Sequence, residues 1–411
     1  MTQRRKVVVI GMGYVGFPAA ILLARAGHEV VGVDINENVV RQVNAGILHI
    51  EEQELQAILA SPEVRGNLRG AAAPEQADAY LIAVPTPLED PRKTADLSMV
   101  VAACEALAPH LRKGALVVLE STVPPQTCRR VLAPILERNG LKVGQDILVA
   151  HCPERILPGN VFHEIVHNDR IIGGVDEAST AAAAELYASF VKGKLIRTDD
   201  VTAELCKLME NTYRDVNIAL ANELAMVCAK LGVNVHQVID MANRHPRVSI
   251  LKPGIGVGGH CIPIDPWFIT EVDPESSVLI ATARRINDRQ PARIAQLIRR
   301  AVADVPEPRI MCVGATYKPD VCDLRESPAI HIADLLKEDG YDVKLIDPIT
   351  REYACDDLVA AAAGCDLVAI LVPHRTVLSQ ISDARADIHR AMRHRRIVDF
   401  SGGDGRDLAP S

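Results

Sequence analysis

The chain contains no run of about 18 consecutive apolar residues, so the sequence offers no candidate membrane span. Its basic start, Arg4-Arg5-Lys6, meets only Val7-Val8-Val9-Ile10 before Gly11, too short an apolar stretch for a secretory signal. Ten cysteines are present but no Cys-x-x-Cys pair, which argues against a zinc site or disulfide framework and for reduced thiols in a cytoplasmic setting. Positive charge is also short: Lys+Arg 45 against Asp+Glu 53 gives −8, so no global pull toward nucleic acid or an anionic membrane is expected. An anionic small ligand would therefore need a local basic pocket. What is present is ordinary for a globular protein: 411 residues, 48% hydrophobic and 24% charged, enough for two or three domains with sizeable cores.

The first stretch alternates strands and helices. Residues 6–10 form a short apolar strand, 16–27 a helix closed by glycine, and 28–33 a second strand ending at Asp34. Apolar runs at 79–84, 115–119 and 147–150 are each bounded by turn residues, the rhythm of an open, mainly parallel sheet covered on both faces. The middle reads as helical: one long helix over 200–231, capped by Asp200 or Thr202 and stopped at Gly232, then 235–243 and 277–300. The last third repeats the first. A strand at 308–314 leads on to 340–347, which echoes 27–34, and to 365–373, which echoes 77–85. The expected fold is α/β: two Rossmann-like doubly wound domains joined by a long central helix and helical hub. The expected boundaries are 1–199, 200–302 and 303–411. Glycines and charges at 401–406 favour a mobile end.

Gly11-Met12-Gly13-Tyr14-Val15-Gly16 follows a strand and opens a helix, the arrangement of a dinucleotide fingerprint. Gly11 permits the tight turn, Gly13 lets a pyrophosphate approach, and Gly16 allows close packing of helix on strand. The helix N-terminus supplies N–H donors. Asp34 stands where an acid receives ribose hydroxyls and repels a 2′-phosphate, which favours NAD over NADP. Thr86 in Val84-Pro85-Thr86-Pro87 and Thr122 in Glu120-Ser121-Thr122-Val123-Pro124 lie at two strand ends that should line the same crevice.

Two further features suggest catalysis. Lys207, Asn211, Arg214 and Ile218 recur at helical spacing; Asn is a poor helix-interior residue and its neighbours form no charge ladder, which suits a cleft better than a solvated face. In Gly254-Ile255-Gly256-Val257-Gly258-Gly259-His260-Cys261-Ile262-Pro263-Ile264-Asp265, four glycines allow close approach of backbone N–H groups to a ligand. Cys261 at its end is a candidate nucleophile; the alternative is a structural turn with an inert cysteine. His245-Pro246-Arg247 adds cationic groups.

Taken in order, GMGYVG, VPTP, ESTVPP, PERILPG, AELCKLMENTYRDVNIALANE, GVGGHCIPIDP and YKPDVCDLRESPA resemble the UDP-glucose/GDP-mannose dehydrogenase family over nearly the whole chain. The resemblance implies an NAD-dependent enzyme that oxidises a sugar-nucleotide primary alcohol twice, through a Cys261 thiohemiacetal and thioester. It implies that Lys207 stabilises the developing alkoxide or takes its proton, that Asn211 and Asp265 position Lys207 and a water, and that Glu154 and Thr122 assist hydrolysis. Substrate contacts are expected from Arg155, Ile156, Lys207, Asn211, Arg214, His245, Arg247, Gly258, Tyr317 and Lys318. Cofactor contacts are expected from Gly11, Gly13, Tyr14, Val15, Gly16, Asp34, Thr86, Thr122 and Arg325. Pro158 and Ile264 depart from the UDP-glucose branch, which commonly has glutamate and lysine there, and fit the N-acetylated-sugar branch. The expected substrate is UDP-N-acetyl-D-mannosamine, with UDP-N-acetylglucosamine or UDP-glucose as alternatives. A two-electron hydroxyacid-type dehydrogenase and a non-enzymatic NAD-binding sensor also stay open. A cytoplasmic homodimer, packed through 219–227 of the long helix, is the expected assembly; neither metal, nucleic acid nor membrane is an expected partner.

Overall fold

The computed structural model describes residues 3–48, 50, 53–89, 91–155 and 161–407. It divides into two compact units, Met1–Glu210 with Trp267–Asp273, and Asn211–Pro266 with Pro274–Ser411.

The first unit is built on an eight-stranded sheet. Its strands are β1 (Lys6–Ile10), β2 (Glu29–Val33), β3 (Leu68–Ala71), β4 (Ala79–Ile82), β5 (Leu116–Leu119), β6 (Leu148–His151), β7 (Arg170–Gly174) and β8 (Leu195–Asp199). They lie in the order β8-β7-β6-β5-β4-β1-β2-β3. All neighbours are parallel except β6 and β7. The apolar runs are continuous because both faces are covered: Phe17, Ile21 and Leu23 pack on one side, Val100, Leu107 and Leu136 on the other. β1 sits between β2 and β4, so the strand order reverses there, and the β1 and β4 carboxyl ends border the crevice typical of ligand sites.

The long helix, Asp200–Leu231, is formed as the sequence predicts and ends at Gly232 in the left-handed region. Its cap differs. The side chain of Asp199, the last residue of β8, accepts from the Thr202 N–H at 3.0 Å. Asp200 is fully buried and holds Arg129 instead, through Nε at 3.0 Å and Nη2 at 2.7 Å. Cap and salt-bridge acids stand side by side here, and sequence does not say which faces inward. In its second half, Ala221, Ala225 and Cys228 pack against Val235 and Ile239 of the next helix, Val235–Ala242. Leu220 and Val227, by contrast, are 54% and 51% exposed.

The second unit carries a five-stranded sheet: β9 (Arg309–Val313), β10 (Asp342–Ile346), β11 (Leu367–Ile370), β12 (Arg396–Asp399) and β13 (Arg406–Asp407). The order is β10-β9-β11-β12-β13, parallel but for the last pair. The helix expected over 277–300 is two helices, Val278–Asp288 and Gln290–Ala301. Pro291 lacks an N–H, so it belongs in a first turn and starts a new helix. Nor is the end of the chain loose over 401–407. β13 pairs with β12, Arg293 Nη1 donates to the Gly403 carbonyl at 2.5 Å, and Arg406 Nε pairs with Asp404 at 3.0 Å. Ladder bonds and ion pairs offset the glycine entropy that favoured mobility. Among the described residues, no helix is long and apolar enough to cross a membrane, and the ten cysteines are outside disulfides.

Candidate functional site

In the first unit the Gly11–Gly16 turn is shaped by sterics. Gly11 has φ of +92°, and a Cβ there would stand 2.8 Å from the Ala83 carbonyl carbon. A Cβ on Gly16 would overlap the Gly11 carbonyl oxygen, so both positions need glycine. Nothing lies within 4 Å of where a Gly13 Cβ would be, which leaves the open face a pyrophosphate requires. Asp34 accepts from the Met12 N–H at 3.0 Å and the Asn36 N–H at 2.8 Å, which ties the end of β2 to the turn. Tyr14 is exposed and Val15 half-buried beside it. The two threonine-bearing strand ends are joined: Thr86 Oγ1 donates to the Thr122 carbonyl at 2.6 Å. The residues present fit an NAD.

Glu154 follows β6 and is held on both oxygens. Oε1 accepts from the Arg155 N–H at 2.7 Å, and Oε2 pairs with Arg170. Arg170, on β7, is almost fully buried; its Nη1 lies 3.7 Å from Glu120 and 3.6 Å from the Cys152 sulfur. Its guanidinium stacks over Tyr187 at 5.1 Å, and the Tyr187 hydroxyl donates to Glu120. One guanidinium thus serves two carboxylates. Glu120 carries the cost, its carboxyl pushed up to about 7 chiefly by burial, with Arg170 opposing and Glu154 adding. Sequence reasoning missed Arg170, Glu120 and Tyr187. Glu120 stood inside the ESTVPP motif, but nothing local marked an arginine inside a strand as its partner. Arg155, expected at the substrate, bonds Glu210 at 2.8 Å and the Asp169 carbonyl. Lys207 is half-buried, and its charge reaches His151, whose pKa falls to about 3 mainly through burial. Ile156 lies outside the described residues.

The second unit brings another group together. Cys261 is exposed at the end of the glycine run. Its carbonyl accepts from the N–H groups of Ile264 (3.1 Å) and Asp265 (2.9 Å), a turn that starts the helix Asp265–Val272. Asp265 is buried and receives Asn211 Nδ2 at 2.6 Å. Gly259, at φ +84°, lies on the Tyr317 ring, which a Cβ would approach to 3.0 Å, and its N–H donates to the Arg325 carbonyl at 3.1 Å. A Cβ on Gly258 would stand 2.8 Å from that of Tyr317. So the glycines bring the Cys261 turn against the loop bearing Tyr317 and Arg325. Arg325 is gripped by Asp323 (Nη2 to Oδ2, 2.7 Å), and its charge reaches Cys261. Burial, then Arg325, holds His260 below the usual imidazole range. On the long helix Asn211 is buried one turn beyond Lys207, and Arg214 is exposed within electrostatic reach of Tyr317. His245 and Arg247 are exposed; the Arg247 N–H donates to His245 Nδ1 at 3.3 Å. Lys318 is exposed.

Three successive stretches match one family: its NAD binding domain at 5–191, central domain at 201–289 and UDP binding domain at 311–402. The chain belongs to the UDP-glucose/GDP-mannose dehydrogenase family. As a member it is an NAD-dependent oxidoreductase acting on nucleotide sugars. Its relatives in the family include a Ralstonia nicotianae NDP-N-acetyl-D-galactosaminuronic acid dehydrogenase, 46% identical over 90% of this chain and 91% of that one. A Methanocaldococcus jannaschii UDP-N-acetyl-D-mannosamine dehydrogenase is 42% identical over 98% and 94%. The solved structure of the UDP-D-ManNAc dehydrogenase from Pyrococcus horikoshii superposes with a TM-score of 0.90 at 40% identity, over 98% and 97%.

Proposed function

We propose that this family member oxidises the C6 alcohol of UDP-N-acetyl-D-mannosamine in two steps to UDP-N-acetyl-D-mannosaminuronate, using two NAD per sugar. The observation that carries the reading is the Cys261 turn: an exposed thiol on a glycine-rich backbone, ending in a buried Asp265 bonded to Asn211. A two-electron dehydrogenase or a sensor has no use for that thiol. NAD, held by Gly11, Gly13, Tyr14, Val15, Gly16, Asp34, Thr86, Thr122 and Arg325, supplies the hydride acceptor for each oxidation.

The chain's own residues do the rest. Lys207 takes the alcohol proton or stabilises the alkoxide as the aldehyde forms. The Cys261 thiolate adds to the aldehyde carbon, and the thiohemiacetal is a better hydride donor than the aldehyde itself. Its oxidation leaves a thioester on Cys261. Asn211 and Asp265 orient Lys207 and a water, with Glu154 and Thr122 assisting, and hydrolysis releases the carboxylate and the thiol. Glu154 suits this task because Arg170 and the Arg155 N–H hold its two oxygens. Arg155, Ile156, Arg214, His245, Arg247, Gly258, Tyr317 and Lys318 are assigned to the UDP-sugar, guanidinium groups being matched to diphosphate oxygens. The expected domains, 1–199, 200–302 and 303–411, then act as cofactor, central and UDP-sugar parts. We place the enzyme in the cytoplasm as a homodimer, for which the exposed Leu220 and Val227 supply apolar surface; a monomer in ultracentrifugation at micromolar concentration would remove the dimer.

The sugar itself rests on several relatives named for UDP-N-acetyl-D-mannosamine. One observation favours a second reading, an N-acetylgalactosamine substrate: a relative named for N-acetyl-D-galactosaminuronic acid is just as similar, at 46%. The test is initial NADH formation with the UDP derivatives of N-acetylmannosamine, N-acetylgalactosamine, N-acetylglucosamine and glucose. Preference for the first by at least about tenfold in kcat/KM is expected. Preference for the second would move the enzyme to that sugar with its chemistry intact.

A further inference from the structure

The two sheets echo one another in sequence, and the echo pairs Asp34 with Asp347 and Thr86 with His374. In the first unit Asp34 bonds the Met12 N–H of the nucleotide turn, and Thr86 bonds the Thr122 carbonyl. In the second they are sealed. Asp347 is fully buried and already accepts four backbone N–H groups: Ala315 (2.7 Å), Thr316 (3.3 Å), Ile349 (2.8 Å) and Thr350 (3.1 Å). The fully buried His374 adds Nε2 at 3.0 Å. A carboxylate so enclosed has no lone pair to offer a ribose.

Its donors instead point to the 315–320 loop. The Asp320 N–H donates to His374 Nδ1 at 3.0 Å, so that nitrogen is unprotonated and Nε2 carries the hydrogen toward Asp347. Thr316 Oγ1 lies 3.3 Å from the same Nε2 and donates to the Lys318 carbonyl at 2.9 Å. Asp320 itself sits at φ +60°, a conformation that a non-glycine residue holds only when its surroundings impose it. Both ends of the loop carrying Tyr317 and Lys318 are therefore fastened to one buried pair. The depressed pKa of Asp347, about 2, agrees with a carboxylate fixed in its charged form by these donors.

We propose that His374 and Asp347 are positioning residues for UDP-sugar binding: they set the 315–320 loop, and with it Tyr317 and Lys318, without touching the ligand. This rests on the reading that Tyr317 and Lys318 contact the UDP-sugar.

The test is calorimetric titration of the full-length protein with UDP, and separately with NAD. His374→Gln keeps a donor toward Asp347 but loses the acceptor for Asp320; His374→Asn places its oxygen near the Nδ1 position and keeps that acceptor. UDP should weaken about tenfold or more in the first and stay within about threefold in the second, with NAD unchanged in both. Wild-type UDP affinity in His374→Gln, alongside weakened binding in Lys318→Ala, overturns the inference. Unchanged binding in Lys318→Ala overturns the reading beneath it. Should His374→Gln fail to fold, as loss of NAD binding would reveal, Arg375→Ala decides. That side chain is 88% exposed and holds Asp320 Oδ2 at 2.7 Å; its loss should weaken UDP about threefold, and no change would refute loop positioning.

Discussion

Replacing Glu120 by glutamine tests the buried acid network quantitatively. The Glu120 side chain has no solvent access, and one carboxylate oxygen is without a hydrogen-bond partner among the described residues. Burial raises its carboxyl from about 4.5 to about 7. For an acid with a raised native pKa, the folded chain retains a proton that the unfolded chain releases. Native stability therefore falls as pH climbs between those two values and levels off above the upper one. At 1.36 kcal/mol per unit the full penalty is about 3 kcal/mol, of which about 2–3 kcal/mol develops between roughly pH 5 and pH 8. Glutamine cannot ionise yet still offers Tyr187 an acceptor oxygen. Glu120→Gln should thus gain on the wild type by that amount across the window. For a unit of this size the gain is about 5–10 °C in the melting transition of the NAD-binding part. Melts at half-unit pH steps, followed by near-ultraviolet circular dichroism, measure it. Parallel curves, or a gap that narrows as pH rises, would refute the burial argument.

Two other perturbations follow from equally specific contacts. Arg284 and Asp215 form a buried pair, 1% and 0% exposed, with Asn287 Nδ2 also donating to Asp215 at 2.8 Å. Arg284→Met should cost about 3–5 kcal/mol in urea unfolding, and adding Asp215→Leu should recover most of it; a loss under about 1 kcal/mol would contradict the pairing. Asp34→Ser removes the carboxylate expected to repel a 2′-phosphate, so the kcat/KM ratio of NADP to NAD should rise about tenfold or more. An unmoved ratio would detach Asp34 from cofactor choice.

What the sequence disclosed was local pattern. The β1 turn and its helix were legible because Gly11 and Gly16 answer steric demands within a few residues, and the long helix because its period persists for about nine turns. β7 and β8 carry little strand signature in the sequence: Arg170 opens the one, and Leu195–Asp199 is largely polar and only partly buried. Arg170 becomes intelligible once Glu120, Glu154 and Tyr187, distant in sequence, surround it. The helix cap went to Asp199 rather than its neighbours because Asp200 found Arg129, a partner 71 residues away. The 401–406 segment looked mobile by composition and is fixed by Arg293, 110 residues before Gly403. Motifs with chemistry in them announced themselves; the residues that hold those motifs in place did not.

The most direct test of the central claim is NADH yield from limiting UDP-N-acetyl-D-mannosamine, in the wild type and in Cys261→Ser. Covalent capture by the thiol predicts about two NADH per sugar and the uronate as product, with uronate formation collapsing in the variant. One NADH per sugar from the wild type, or uronate formed at the wild-type rate by Cys261→Ser, would contradict the thiol-assisted double oxidation.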